Sequence, residues 1–262
     1  MADIVVKDLW KSYGSLEVLK GLSLTVHEGE TVVILGRSGV GKSVLLKQII
    51  GIETYDRGSI EIGGKDLGKV SRKERGVVTR EMGMLFQGGA LFDSMSVGEN
   101  TAFYLNQHRG DLGKKEIRKR AEEALEMVEL KGTYDKMPSD LSGGMRKRAA
   151  LARLIVYNPS VLLYDEPTTG LDPITAMNIN GLINKMKSKT RTIIAVTHDI
   201  RSALEIGDRF ALHKDGKITH VAPKDEFLKI DDPLVRSFFE NSAITEDHWN
   251  GNHKKEGSWE TA

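Results

Sequence analysis

Short β-branched apolar runs alternate with longer segments of helical spacing along the 262-residue chain. "TVVIL" (31–35) flows into a glycine-rich loop and then into "SVLLKQII", whose apolar residues recur at helical intervals. "SVLLY" (160–164) and "RTIIAVT" (191–197) are two more candidates for buried strands, each followed by polar or turn residues. This alternation predicts an α/β protein with a mainly parallel sheet. "GSIEIGGKDL" reads as a strand leaving a hairpin at Gly63-Gly64, and "RFALHKDGKITHV" as a second hairpin turning at Asp215-Gly216.

The middle of the chain breaks the pattern. From about 97 to 138 the residues favour helix, and in "GKKEIRKRAEEALEMVEL" the residues Ile117, Ala121, Leu125 and Val128 mark one apolar face. This stretch reads as a helical insertion into the α/β core. The basic cluster at 114–120 is interleaved with Glu116 and followed by Glu122 and Glu123, which suits a solvated helix face. In "DDPLVRSFFENSA" (231–243), Leu234, Val235, Phe238 and Phe239 have near-helical spacing, so the segment is expected to pack on the main domain or a neighbouring subunit. Beyond it, 241–262 is polar and aperiodic, and reads as a mobile tail or a partner-binding extension, although Trp249 and Trp259 are odd in a purely solvated tail.

Composition narrows the class. Lys+Arg at 38 against Asp+Glu at 37 gives a net charge of +1, so global charge makes no case for nucleic acid. The chain has no cysteine, which removes disulfides, thiolate metal sites and a cysteine nucleophile. "MADIVVKDLW" has no basic region leading into an apolar run, so no signal peptide is expected. No uncharged apolar stretch approaches the roughly 18 residues of a membrane span, so any membrane role is expected to come through a partner.

The chemistry begins at "GRSGVGKS" (36–43), which matches G-x-x-x-x-G-K-[ST] between a strand and a helix. Gly36, Arg37, Ser38, Gly39, Val40 and Gly41 form a loop whose backbone N–H groups can turn inward around phosphate oxygens, aided by the helix dipole. Lys42 is expected to reach the β- and γ-phosphates of a nucleotide, and Ser43 to ligate Mg²⁺. The second half of such a site is an acidic residue at another strand end, and "VLLYDEP" (161–167) supplies it. Asp165 can hold Mg²⁺ directly or through water, with Glu166 beside it to orient an attacking water. These two elements leave kinases, GTPases and many ATPases open. "LSGGM" (141–145), opening a predicted helix, narrows them: Ser142, Gly143 and Gly144 form a second phosphate-shaped surface. One P-loop seldom needs a second cradle unless it serves the nucleotide of another subunit.

With these motifs in this order, the sequence resembles the ATP-binding-cassette (ABC) ATPase family over residues 4–220. The resemblance implies a P-loop, RecA-like core with an antiparallel β subdomain and an α-helical subdomain inserted at about 88–157, the whole domain filling 1–240. It adds roles that the residues alone do not give. Tyr13, in "KSYG", looks like the aromatic that stacks on adenine, and Gln87 like the glutamine that senses Mg²⁺ and the γ-phosphate. "TTGLD" (168–172), with Asp172, looks like the loop crossing a dimer interface, and His198, in "VTHD", like the histidine that contacts the γ-phosphate. It further implies a homodimer with each ATP between the P-loop of one subunit and the "LSGG" of the other, and Glu166 as the catalytic carboxylate. Met145 departs from the glutamine common after "LSGG" and cannot donate a hydrogen bond.

Within the family, the helical segment is too short for the long coiled coils of DNA-repair relatives. An integral membrane permease is the implied partner, with a soluble cassette of Fe–S cofactor assembly as the outside alternative. "QGGALFDSMSVGEN" (87–100) has Asp93 where importer ATPases resemble one another in a proline. This and "LSGGMRKRAALAR" resemble the ATPase subunit of Mla-type, MCE-associated phospholipid transporters at the cytoplasmic face of the bacterial inner membrane. That resemblance implies an MCE-domain lipid-binding protein and a small STAS-domain subunit as further partners. An amino-acid or small-solute importer is the alternative within transport.

Overall fold

The computed structural model describes residues 3–227 and 229–240. The expectations for 241–262, with Trp249 and Trp259, and for the side chain of Phe239 lie outside the described residues. The chain opens with strands β1 (Ile4–Tyr13) and β2 (Leu16–Val26), then β3 (Thr31–Leu35) and helix α1 (Lys42–Ile49). Strands β4 (Arg57–Ile62) and β5 (Lys65–Asp66), helix α2 (Arg72–Thr79) and strand β6 (Met82–Leu85) follow. The helical region holds α3 (Val97–His108), α4 (Lys114–Met127) and α5 (Gly143–Tyr157). Strand β7 (Val161–Asp165), α6 (Pro173–Met186), β8 (Thr192–Thr197) and α7 (Ile200–Ile206) return to the core. A hairpin of β9 (Arg209–Lys214) and β10 (Lys217–Pro223) and two short helices, α8 (Lys224–Phe227) and α9 (Pro233–Glu240), complete it.

Two sheets result. The larger has the order β10-β9-β3-β8-β7-β6, parallel from β9 to β6, and the smaller is antiparallel with the order β2-β1-β4-β5. Both hairpins expected from sequence form: Ile62 pairs with Lys65 and Lys214 with Lys217. Asp215 and Gly216 take φ of 52° and 82°, the left-handed pair that a two-residue turn demands.

The runs that looked continuously apolar are buried on both faces, as period-2 geometry requires of a covered sheet. Val32, Ile34, Leu163, Ile194 and Val196 face the small sheet and Leu45, Leu46 and Ile49 of α1. Val33, Leu35, Leu162, Tyr164, Ile193 and Ala195 face the other way, onto α5, α6 and α7. The parallel strands are thereby clamped between two cores, and their carboxyl ends are held in fixed register.

The 97–138 stretch is helical only in part. Glu129 and Gly132 take φ of 60° and 76°, and 128–137 is an irregular return between α4 and α5. The expected apolar face of α4 is buried at Ile117, Ala121 and Leu125, with Val128 just beyond the helix. Its basic residues pair along the helix, Arg118 with Glu122 at 2.9 Å and Arg120 with Glu116 at 2.7 Å. Helix α2 was not expected, yet "SRKE" carries the signal: Ser71 and Glu74 form a reciprocal capping box. In α9, Leu234 and Val235 are buried and Phe238 packs on the main core. No helix among the described residues is long and apolar enough to cross a membrane.

Candidate active site

A cleft of about 330 Å³ opens at the carboxyl ends of β3, β7 and β8, the position where open α/β sheets bind ligands. Its lining includes Gly39, Lys42, Ser43, Gln87, Glu166 and His198. The loop 36–41 can approach so closely only because it is built of glycine where space or φ demands it. A Cβ on Gly41, at φ 102°, would stand 2.5 Å from Cγ1 of Val18, and one on Gly36 would stand 2.7 Å from the His213 carbonyl. Helix α1 has no side-chain cap, whereas α2, α3, α5, α6 and α7 are each capped by a serine or aspartate. The orphan N–H groups of its first turn thus remain as donors for an anion.

Lys42, only 5% exposed, donates from Nζ to the carbonyls of Gly36 (2.7 Å) and Arg37 (3.0 Å) and lies 3.3 Å from Oε1 of Glu166. Ser43 Oγ donates to Asp165 Oδ1 at 2.7 Å. Hydroxyl, carboxylate and the Gln87 amide oxygen are hard donors, and no group of three or more His, Cys, Asp or Glu fit for a metal occurs among the described residues. Such a set suits Mg²⁺, which takes one or two protein oxygens and completes its shell with water and phosphate.

Glu166 sits at the end of β7 with φ 49°, a backbone state uncommon for a residue with a side chain. Its Oε2 accepts from Thr169 Oγ1 at 2.8 Å and is 2.9 Å from Nδ1 of His198, with Thr197 Oγ1 at 3.3 Å. Burial pushes this carboxyl up, but the bonds from His198 and Thr169 and the charge of Lys42 outweigh it and hold it below its ordinary value. Asp165 goes the other way: burial raises it, opposed by the Ser43 hydroxyl. Adjacent carboxylates are thus pushed apart, the lower one being the group aimed into the cleft. Thr169 and Val18 were not expected here from sequence. Thr169 lies inside the quoted "TTGLD", but nothing in that string says that its hydroxyl turns back onto Glu166.

The remaining expected residues do not line this cleft. Ser142 caps α5, its Oγ accepting from the N–H of Met145 at 3.3 Å, and Gly144 lies so near α6 that a Cβ would meet Thr175 at 2.9 Å. Asp172 caps α6 through the N–H of Thr175 (3.0 Å) and its hydroxyl (2.6 Å). "LSGG" and Asp172 therefore form one patch of their own, flanked by the exposed Ile174 and Met177 on α6. Tyr13 stands at the β1–β2 turn, half-exposed, its hydroxyl bonded to Glu53, which drives its pKa up to about 12. The P-loop cleft and the "LSGG"–Asp172 patch are thus separate places on the chain.

A profile of the ABC transporter family matches residues 19–169, more than half of the chain. The chain belongs to this family. A Mycobacterium leprae protein described as a ribonucleotide transport ATP-binding protein is 40% identical over 92% of this chain and 70% of its own length. The Arabidopsis thaliana protein named trigalactosyldiacylglycerol 3, chloroplastic, is 36% identical over 90% of this chain and 74% of its own. Other relatives are named for methionine and sulfate import. A dimeric ATP-binding cassette in a post-hydrolysis state, bound to ADP and Pi, superposes with a TM-score of 0.78 at 33% identity, covering 84% of this chain and 98% of that one.

In this ABC ATPase the segment 87–100 is a braced platform. Asn100, fully buried, accepts from the N–H of Phe92 at 2.7 Å and donates to the carbonyls of Phe92, Met95 and Ser96, each at 3.0 Å. Arg153 of α5 donates to the carbonyls of Gly89 (3.2 Å) and Ala90 (3.0 Å). Ser96 and Glu99 cap α3 reciprocally, and Asp93 is exposed beside Phe92, whose ring meets Phe103 at 4.9 Å. Met145 packs against the main core.

Proposed function

We propose that this ABC transporter ATPase is the motor of a phospholipid transporter in the bacterial envelope, working as a homodimer beneath an integral membrane permease. The observation that carries the lipid reading is the 87–100 platform, with Asp93 exposed in place of the importer proline. The galactolipid name of the Arabidopsis relative adds support. An amino-acid importer is the competing reading, favoured by the relative named for methionine import.

In the proposed cycle the P-loop N–H groups and Lys42 hold the phosphates of ATP, while Tyr13 stacks on adenine. Mg²⁺, held by Ser43 and Asp165 with Gln87, would neutralise charge on the phosphates. Glu166 is the proton acceptor for the attacking water, and its lowered pKa keeps it ionised for that role. His198, whose Nδ1 lies 2.9 Å from Glu166, presents its other ring nitrogen to the γ-phosphate. Ser142, Gly143, Gly144 and Asp172 of one subunit would close over the ATP held by the other, which accounts for their separation from the P-loop cleft. Met145, partly buried against the main core, offers no side-chain hydrogen-bond donor to the nucleotide.

Copurification from native membranes tests the substrate. A multi-span permease with an MCE-domain protein and a small STAS-domain subunit, at the inner membrane, is the expected company. A periplasmic solute-binding protein in their place overturns the lipid reading.

A further inference from the structure

We propose that Lys147 is a positioning residue for hydrolysis: its ammonium clamps both ends of the turn that carries Glu166, tying helix α5 to the carboxylate of the same subunit. This rests on the reading of Glu166 as the hydrolytic carboxylate.

Lys147 lies one turn after Gly143 on α5 and is only 5% exposed. Its Nζ donates to the carbonyl of Thr169 at 2.7 Å and to that of Glu166 at 3.2 Å. Both partners are neutral carbonyls rather than a carboxylate. Burial of an ammonium on such terms is unfavourable, and it lowers the pKa of Lys147. A methionine of similar length fills the same space without desolvating a charge, so packing alone does not call for lysine here.

The two carbonyls belong to the ends of one turn. Glu166 enters it in the left-handed region, which a residue with a side chain holds only under constraint from its surroundings. Its N–H donates to the Val196 carbonyl at 2.9 Å, and its carbonyl accepts from the N–H of Thr169 at 3.3 Å as well as from Lys147. Pro167 stiffens the second position. Thr169 joins the two groups: its hydroxyl holds Oε2 of Glu166 while its carbonyl is held by Lys147. Without the ammonium, the backbone that aims that hydroxyl loses its strongest tether. Lys42 and His198 still keep the carboxylate in the cleft, but its orientation toward a water is freed.

Lys147 does not line the cleft, so ATP binding does not depend on it directly. It does ride on the helix whose N-terminus carries Ser142. In the paired arrangement that N-terminus meets the ATP of the partner subunit. Lys147 thereby links closure over the partner's ATP to the aim of Glu166 on its own.

The test compares Lys147→Met, Lys147→Arg and Glu166→Gln in the full chain, with steady-state hydrolysis, equilibrium binding of a fluorescent ATP analogue and thermal melting. Lys147→Met is expected to lower kcat by about ten- to a hundredfold, the scale of a misaimed catalytic group, with analogue affinity and melting temperature near wild type. Lys147→Arg, which keeps the charge and the donors, is expected to restore most of the rate. Wild-type kcat in Lys147→Met overturns the proposal, as does a loss of kcat that merely follows lost binding and lost stability. Should Lys147→Met fail to fold, Lys147→Gln carries the same expectation with a smaller loss, and wild-type turnover in it overturns the proposal. Full turnover in Glu166→Gln would sink the reading of Glu166 and this inference together. An inactive Glu166→Gln beside a fully active Lys147→Met sinks only the inference.

Discussion

Asn100 offers the sharpest test of how the 87–100 platform is held. Its amide makes four contacts with the backbone of 92–96, accepting from Phe92 and donating to Phe92, Met95 and Ser96. Two amide hydrogens serve three carbonyls, so one of these bonds is shared. Replacing Asn100 by alanine removes two to three net hydrogen bonds of about 1 kcal/mol each, and it strands the Phe92 N–H in a partly buried position. A destabilisation of about 3 kcal/mol follows, equivalent to roughly a 10 °C fall in Tm for a domain of this size. Asn100→Asp is the discriminating variant. It is isosteric and can still accept from Phe92, but it points a second oxygen at three carbonyl oxygens. It should be destabilised at least as much as the alanine variant. Thermal melting gives the size of the effect, and hydrogen exchange should place the lost protection at 92–96 and the start of α3. An aspartate variant as stable as wild type, or an alanine variant within about 1 kcal/mol of it, would refute hydrogen bonding as the brace.

Other consequences lie nearer the chemistry. Glu166→Gln keeps the shape of the side chain but loses the proton acceptor, and phosphate release at saturating ATP should fall by about 10²- to 10⁴-fold with ATP still bound. His213 is fully buried beneath the P-loop, and neither ring nitrogen finds a partner among the described residues. Burial, helped by the charge of Lys42, holds its pKa down to about 4 from 6.5. The unfolded imidazole therefore takes up a proton first, so stability is full above pH 6.5 and falls by about 3 kcal/mol between there and pH 4. Denaturant titrations of His213→Met across that range should show a shallower acid limb than wild type.

The motifs and the strand–helix alternation were legible in the sequence because each is local. "VVIL" within 31–35 and "IIAV" within 191–197 are apolar at every position, as suits a strand covered on both faces. The glycines of 36–41 and the Asp215-Gly216 turn declare their backbone states by residue type. The capping signals "SRKE" and "SVGE" are equally local. What tertiary structure alone decided are the contacts between residues distant in sequence. Nothing local to Glu166 says that His198, Thr197 and Lys42 converge on its carboxylate, or that Lys147 holds its carbonyl. Nor could spacing show that "LSGG" and Asp172 share a patch away from the P-loop, since that depends on how α5 and α6 pack. Residue type and period fix backbone conformation within a few residues. The electrostatics of a site depend on which side chains the packed core brings within about 4 Å, where Coulomb and hydrogen-bond terms become large.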